Sequence, residues 1–464
     1  MIARFLMIGL ILYSSLLVSG QTLNNTKVDG YKGIWFTLGQ FETEYGDKYS
    51  GGLGTYTAKH RPLAIYAEAV NRTFFVYGGT TSLGEKHLLC MIAYYDHGTG
   101  KVPKPTVVYD KLGVDDPHDN PSLQIDDQGY LWVFVSGRGR IRPGFKYRST
   151  APYSIDAFEQ ITEEEMTYPQ PHFDNNRGFF NFFTKYTGVR ELYYETSKDG
   201  VSWTDDVKLA GIVEQGATKS GHYQVSGKHQ NTLCTFFSRH PDGNVDRRTD
   251  LYFVQTKDFG STWSNGLGEE LQIPLSQVDN PARVFDYTSE GKNVYLKDLN
   301  FDKYGNPVCL YLTSKGHLPG PDYGPRDWKI TGLTESGWYT RTVFQSDHNY
   351  DMGSLYIDGD HWRIIAPSNP GPQKYHAGGE VEIWESKDNG KNWQSIAAVT
   401  QSSDLNHNYL RRPMNAKAPF FSFWADGDPS KFSKSSLYFS DEQGQIYQLP
   451  YQMNSDQATP VRYQ

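Results

Sequence analysis

Six of the thirteen histidines in this 464-residue chain, His60, His118, His172, His222, His348 and His407, stand at equivalent places, each just ahead of or at the head of a short apolar run. Scattered structural histidines would not keep that register. Imidazole is the side chain that takes up and releases a proton near neutral pH, so histidines gathered at one place would carry acid–base chemistry. A cationic run, Arg138, Arg140, Arg142, Lys146 and Arg148, follows the second of these histidines with no acid inside it. Guanidinium groups match carboxylate and sulfate geometrically. His60, His172, His222, His348 and His407, with Arg138 and Arg140, are therefore candidate substrate-binding residues, and the substrate they suit is anionic.

The elements that must position them repeat. His118-Asp119-Asn120-Pro121 leads into an alternating strand to Ile125, an Asp126-Asp127-Gln128-Gly129 turn and an apolar strand from Leu131 to Val135. That is a β-hairpin by pattern and turn chemistry. Looser copies begin near His60, Pro169, His222, Leu299, His348 and His407, the last two opening His-Asn-Tyr. A second motif, Ser/Thr-Lys-Asp-x-Gly-x-x-Trp, punctuates the gaps at Thr256–Trp263 and Ser386–Trp393, with a one-residue-shorter version at Ser197–Trp203. It resembles the Asp-box, a hairpin turn whose Asp caps backbone donors and whose Trp packs between sheets. An inner and an outer hairpin per repeat make a four-stranded blade, so the expected fold is all-β, a seven-bladed β-propeller. Pairing of Gly33–Phe36 with Ser436–Phe439 would close the ring. In such a fold the residues ahead of the innermost strands converge on one face, where a concave polar site is expected.

Composition sets the bounds. The single early cation Arg4, the apolar run from Phe5 and the small residues before Gln21 predict a signal peptide over 1–20, a single propeller domain over 21–464, and export to the periplasm or the medium. No segment is long enough for a membrane span. Cys90, Cys234 and Cys309, each in a separate apolar run, read as buried free thiols. The net charge of −8 excludes a generally basic nucleic-acid binder and demands a locally cationic cleft for an anionic ligand. No cofactor is expected; Asp115, Asp116 and Asp119 are calcium-ligand types without a calcium motif, and clustered loop acids are usually solvated. An acidic chain with this cationic run beside the histidines suits an anionic sugar polymer as partner.

With the His118-Asp119-Asn120-Pro121 lead-in, Tyr223 and Arg239 of the fourth repeat, and the Asp-boxes in view, the chain resembles the BNR-repeat propeller family that contains the ulvan lyases and a related rhamnose–glucuronate rhamnosidase. The resemblance covers nearly all of residues 21–464. It implies β-elimination beside a uronic acid, with His118, Tyr223 and Arg239 as catalytic residues. Elimination needs the C5 proton removed, the carboxylate neutralised and the leaving O4 protonated. Arg239 suits the second task, Tyr223 the third, and either His118 or Tyr223 the first. One departure stands out: where the lyases carry a second His after the second hairpin, this chain has Ser136-Gly137-Arg138-Gly139. That leaves room for a dehydratase removing water from a terminal uronate of ulvan oligosaccharides. An exo-acting rhamnosidase-type hydrolase and a non-catalytic carbohydrate-binding propeller are also compatible with these residues. A sialidase would need a Phe-Arg-Ile-Pro segment where this chain has only His60-Arg61-Pro62.

Overall fold

The computed structural model describes residues 22–37, 42–57, 59–83, 87–114 and 116–463; the expected signal peptide and Asp115 lie outside the described residues. The chain is all-β, built of antiparallel sheets, with only short 3₁₀ turns among the described residues. No helix among them is long and apolar enough to cross a membrane.

Every hairpin expected from the repeats is present. They are Ala64–Ala67 with Arg72–Gly79, Pro121–Ile125 with Leu131–Val135, Thr167–Asp174 with Gly178–Lys185, His222–His229 with Thr232–Arg239, Asn293–Phe301 with Pro307–Ser314, Ser354–Asp358 with His361–Pro370, and Asn406–Arg411 with Ser422–Gly427. A further strand or hairpin pairs outside each, as Gly144–Ser149 and Phe158–Glu164 do beside Leu131–Val135.

The second hairpin shows why the sequence folds this way. Asp126 Oδ1 accepts from the backbone N–H groups of Gln128 and Tyr130 at 3.1 and 2.8 Å, and Gly129 takes φ +85°, which closes the turn. Along Leu131–Val135, Leu131, Val133 and Val135 pack with Phe74 and Val76 of the first hairpin. Trp132 and Phe134 face the other way, onto Phe179 and Phe183 of the third. A strand covered on both faces reads as a continuous apolar run.

The innermost strands alternate with polar residues for a different reason. Their side chains and carbonyls tie neighbouring hairpins together: Leu123 N to Pro62 O at 2.9 Å, Ser122 Oγ to Pro169 O at 2.7 Å, and Gln170 Nε2 to Gln224 O at 3.0 Å. The series continues with Asn300 Nδ2 to Leu355 O at 3.0 Å, Ser354 Oγ to Leu410 O at 3.0 Å, and Met414 N to Ala64 O at 2.8 Å.

The Asp-box turns form as their sequence requires. Asp199 accepts from Val201 and Ser202, Asp258 from Thr262, and Asp388 from Lys391 and Asn392, all through backbone N–H groups at 2.8–3.1 Å. Trp203 packs against Phe134 of one sheet and Phe179 of the next. Cys90, Cys234 and Cys309 are buried and free. One expected pairing is displaced. Gly33–Thr37 does pair with the C-terminal region, but with Ser433–Ser435, because Leu437–Ser440 is taken up between Ser422–Gly427 and Ile446–Gln448.

Candidate active site

Seven tyrosines, Tyr49, Tyr56, Tyr168, Tyr223, Tyr295, Tyr350 and Tyr409, line one cleft together with His118, Lys59 and Arg248. No carboxylate is among its lining residues. The cleft is thus an apolar-walled, cationic hollow in a protein of net negative charge.

His118 enters it from the short turn Pro117–Asp119, whose capping residue Asp116 accepts from His118 N at 3.1 Å. The Asp116 carboxylate also takes the ring Nδ1. A neutral ring so bonded carries its proton on Nδ1 and leaves the Nε2 lone pair free. Burial pushes the imidazole below its usual pKa of 6.5, helped by Arg138 and opposed by Asp116. His118 is therefore mostly unprotonated at neutral pH. Arg142 holds Asp116 in place at 2.7 Å while binding both oxygens of Asp119 at 2.9 and 3.0 Å.

Tyr223 sits one residue into its strand, opposite Ser238. Lys59 Nζ lies 4.8 Å from its ring centroid, and the guanidinium carbons of Arg248 and Arg190 lie at 5.0 and 5.7 Å. Burial alone would raise the phenol, but Arg190, Arg248 and Arg138 and a hydrogen bond with Tyr168 outweigh it and bring the pKa below 10.0. The other six tyrosines of the cleft are all shifted upward, with burial the first cause. Tyr168 lies between His118 and Tyr223: its ring centroid is 5.9 Å from the first and 5.7 Å from the second. It reaches there from a left-handed backbone (φ +55°) at a break in strand register between Thr167 and Gln170, the kind of bulge that re-aims a side chain.

Arg248 is 3% exposed, gives Nη2 to Tyr350 Oη at 2.8 Å and Nε to Val245 O at 2.9 Å. Among the described residues no carboxylate forms an ion pair with it. Arg239, which the resemblance implies would neutralise the carboxylate, lies outside this cleft. Its Nε bonds Asp250 at 2.6 Å, Nη1 bonds Glu214 at 2.8 Å and Nη2 bonds Thr288 Oγ1 at 2.9 Å. Each of its three nitrogens thus bonds the protein itself, and it does not line the cleft.

The histidines do not gather at one site either. His60 lies behind His118, linked through Nε2 to His118 O at 3.1 Å. His172 pairs with Ser226 Oγ at 2.8 Å; His222 accepts from Ile212 N at 3.0 Å and reaches Ser238 O at 3.1 Å. His348 accepts from Tyr350 N at 3.1 Å, and His407 from Trp424 Nε1 at 3.0 Å. Each of these five bonds within the protein and none lines the tyrosine cleft, while His60 and His172 share the wall of a second cavity.

The cationic run is divided in the same way. Arg138 stands behind the cleft wall, giving Nη1 to Tyr168 Oη at 3.4 Å and lying 3.7 Å from Asp116, whereas Arg140 is 79% exposed and lies 3.4 Å from Glu165. Lys146 is buried against Glu164, Glu195 and the face of Trp203, and Arg148 pairs with Glu159. Of the acids considered for calcium, Asp116 and Asp119 are engaged by His118, Arg142 and Lys111.

Sequence reasoning missed Tyr168, Arg248, Arg190, Lys59 and His240. His240 is buried with both ring nitrogens unpartnered, its ring edge-on to Tyr223 at 4.7 Å. A signal existed for two of them: Arg190 and Arg248 each immediately precede the third strand of their sheets, Glu191–Ser197 and Thr249–Thr256.

Known proteins share this architecture. The chain is 23% identical over 274 residues to the ulvan lyase of Nonlabens ulvanivorans, 51% of this chain and 56% of that protein. It is 25% identical over 223 residues to Ulvan Lyase-PL25 of Pseudoalteromonas sp. (strain PLSV), 40% of this chain and 45% of the relative. The chain thus spans about half the length of the curated relatives it matches. Its fold resembles a solved ulvan lyase of polysaccharide lyase family PL25 with TM-score 0.72, covering 90% of this chain and 96% of that one at 17% identity. A second solved PL25 ulvan lyase structure, bound to -[GlcA(1-4)Rha3S]-, gives TM-score 0.70 at 18% identity, covering 85% and 94%. The family described as BNR repeat-containing matches residues 74–365, well over half of the sequence, and the chain belongs to it.

Proposed function

We propose that this protein is a carbon–oxygen lyase that cleaves a uronate-containing, sulfated polysaccharide of the ulvan type by β-elimination in the tyrosine-lined cleft. The observation that carries the reading is the pair of tuned groups on either side of Tyr168. His118 is kept unprotonated and oriented by Asp116, and Tyr223 is made more acidic by Arg190, Arg248 and Arg138. Relatives named ulvan lyase and the fold likeness support the substrate class. We place the scaffold as a seven-bladed propeller, an arrangement supported by the inner-strand bonds that run from Pro62 round to Met414 and Ala64. Export of the chain belongs to the same reading, since such a polymer is met outside the cell.

The residues divide the reaction as follows. The uronate carboxylate lies against Arg248, whose charge, with that of Arg190 beyond Tyr223, stabilises the enolate-like anion as it forms. His118 Nε2 removes the proton from C5. The C4–O4 bond breaks as the C4–C5 double bond forms, and the Tyr223 hydroxyl gives its proton to the departing O4. The imidazolium then returns a proton to the tyrosinate, by way of solvent, and both groups are restored. Arg138, a permanent cation, tunes Tyr223 and His118 but moves no proton.

Incubation with ulvan, followed by ultraviolet absorbance and product mass, tests the reading. Shorter chains bearing an unsaturated uronate are expected. Loss of one water without cleavage would replace the lyase by a dehydratase, and release of rhamnose without unsaturation would overturn elimination altogether.

A further inference from the structure

Behind the cleft the inner strands surround a second cavity, lined among others by His60, Arg61, His172, Lys297, Arg411 and Arg412. Its charges do not balance. Arg61 and Arg412 share one carboxylate, Asp298, at 2.8 and 3.3 Å, and also share the Leu299 carbonyl at 3.2 and 3.1 Å. Lys228 is answered by Asp174 at 3.3 Å. Lys297 and Arg411 have no such partner among the described residues.

Lys297, 3% exposed, gives Nζ to the Asn349 carbonyl at 2.7 Å. Asp351, which faces it, is itself pushed toward its neutral form by burial and by Asp347. Arg411, 5% exposed, spends Nε on Thr55 O at 2.9 Å, and its Nη2 is buried with nothing to donate to. His172 Nδ1 is buried and unpartnered in the same wall. Both histidines are held neutral by burial and add no charge. Buried cations without counter-charge are costly, and burial together with Arg61 accordingly pulls Arg411 down to about 9. An anion in the cavity would remove that cost by taking the free Arg411 donor and the outward faces of Arg61 and Arg412.

We propose that this cavity is a binding site for a small inorganic anion of the chloride or sulfate class, held by Arg411 with Arg61 and Arg412. The site adjoins the cleft at Met352 but has its own cations, since the cleft lining holds Arg248 and Lys59 instead. It acts on the fold by neutralising charge where the inner strands meet.

Crystals of the unliganded protein soaked in sodium bromide test it directly by anomalous scattering. A bromide peak against Arg411 Nη2 is expected; its absence there, with or without bromide in the tyrosine cleft, would overturn the proposal. Melting in chloride against gluconate at equal ionic strength provides a second readout. A saturable rise on the order of a few degrees is expected for the wild type and for Arg248→Gln, and its loss for Arg411→Gln. The same chloride dependence in Arg411→Gln as in the wild type would refute the site. If that variant does not fold, Arg411→Lys is compared, and it is expected to weaken the chloride response.

Discussion

The guanidinium carbon of Arg248 lies 5.0 Å from the ring centroid of Tyr223, and no carboxylate among the described residues pairs with it. A buried cation left without an acid at that position does two things: it pulls the phenol toward ionisation and stands ready for an anion. Arg239, the arginine nearest Tyr223 across its own hairpin, does neither, because Asp250 and Glu214 already hold it.

Replacing either tuned group should stop proton transfer without harming the fold. His118→Ala and Tyr223→Phe are each expected to lower kcat on ulvan by about 10²–10⁴-fold. Melting temperatures measured beside the rates would show whether folding is intact.

The pH profile carries the sign of each shift. With His118 below 6.5 and Tyr223 below 10.0, activity should hold between an acid limb under 6.5 and an alkaline limb under 10.0. The lower limb appears as His118 protonates, the upper as Tyr223 loses the proton it must donate. Arg248→Gln removes a cation that favours the phenolate, so the phenol pKa rises and the alkaline limb moves to higher pH. Its KM should also increase. An unmoved alkaline limb in kcat/KM would break the link between the two residues.

Asp116→Asn should leave KM nearly unchanged and lower kcat, since the carboxylate orients His118 and stabilises its protonated form. Asp116 raises the His118 pKa, so its loss should carry the acid limb to still lower pH. Measuring kcat across that range separates orientation from simple misfolding.

For Arg239 the prediction is about stability. It is 3% exposed and bonded to Asp250, which is 0% exposed. Arg239→Met strands that carboxylate and should cost on the order of 3–5 kcal/mol, read by denaturant unfolding. If instead the variant kept its stability and lost activity, Arg239 would regain the catalytic place expected from the sequence.

Much of the scaffold was legible because it rests on local rules. The Asp126 and Asp388 turns, the two-faced apolar strands and the recurring hairpins follow from patterns a few residues long. The site was less legible because its members meet through tertiary packing. Lys59, Tyr168, Arg190, Tyr223 and Arg248 come from distant parts of the chain, and only the strand bulge at Tyr168 turns that ring into the cleft. His118 stood out as a hairpin lead-in and Tyr223 only through the family resemblance, whereas Arg239, named by the same resemblance, stands at a strand end facing Asp250, an acid that sequence spacing does not reveal. The histidine register goes with bonds inside the protein, made by His60, His172, His222, His348 and His407 to neighbouring loops and strands.

The most direct measurement is the rate of unsaturated-uronate formation from an oligosaccharide of the -[GlcA(1-4)Rha3S]- type, for the wild type and for Tyr223→Phe at matched folded concentration. Elimination at the tyrosine cleft predicts steady absorbance growth for the wild type and a rate lower by at least about 10²-fold for the variant. No unsaturated product from the wild type, or equal rates for the two proteins, would contradict it.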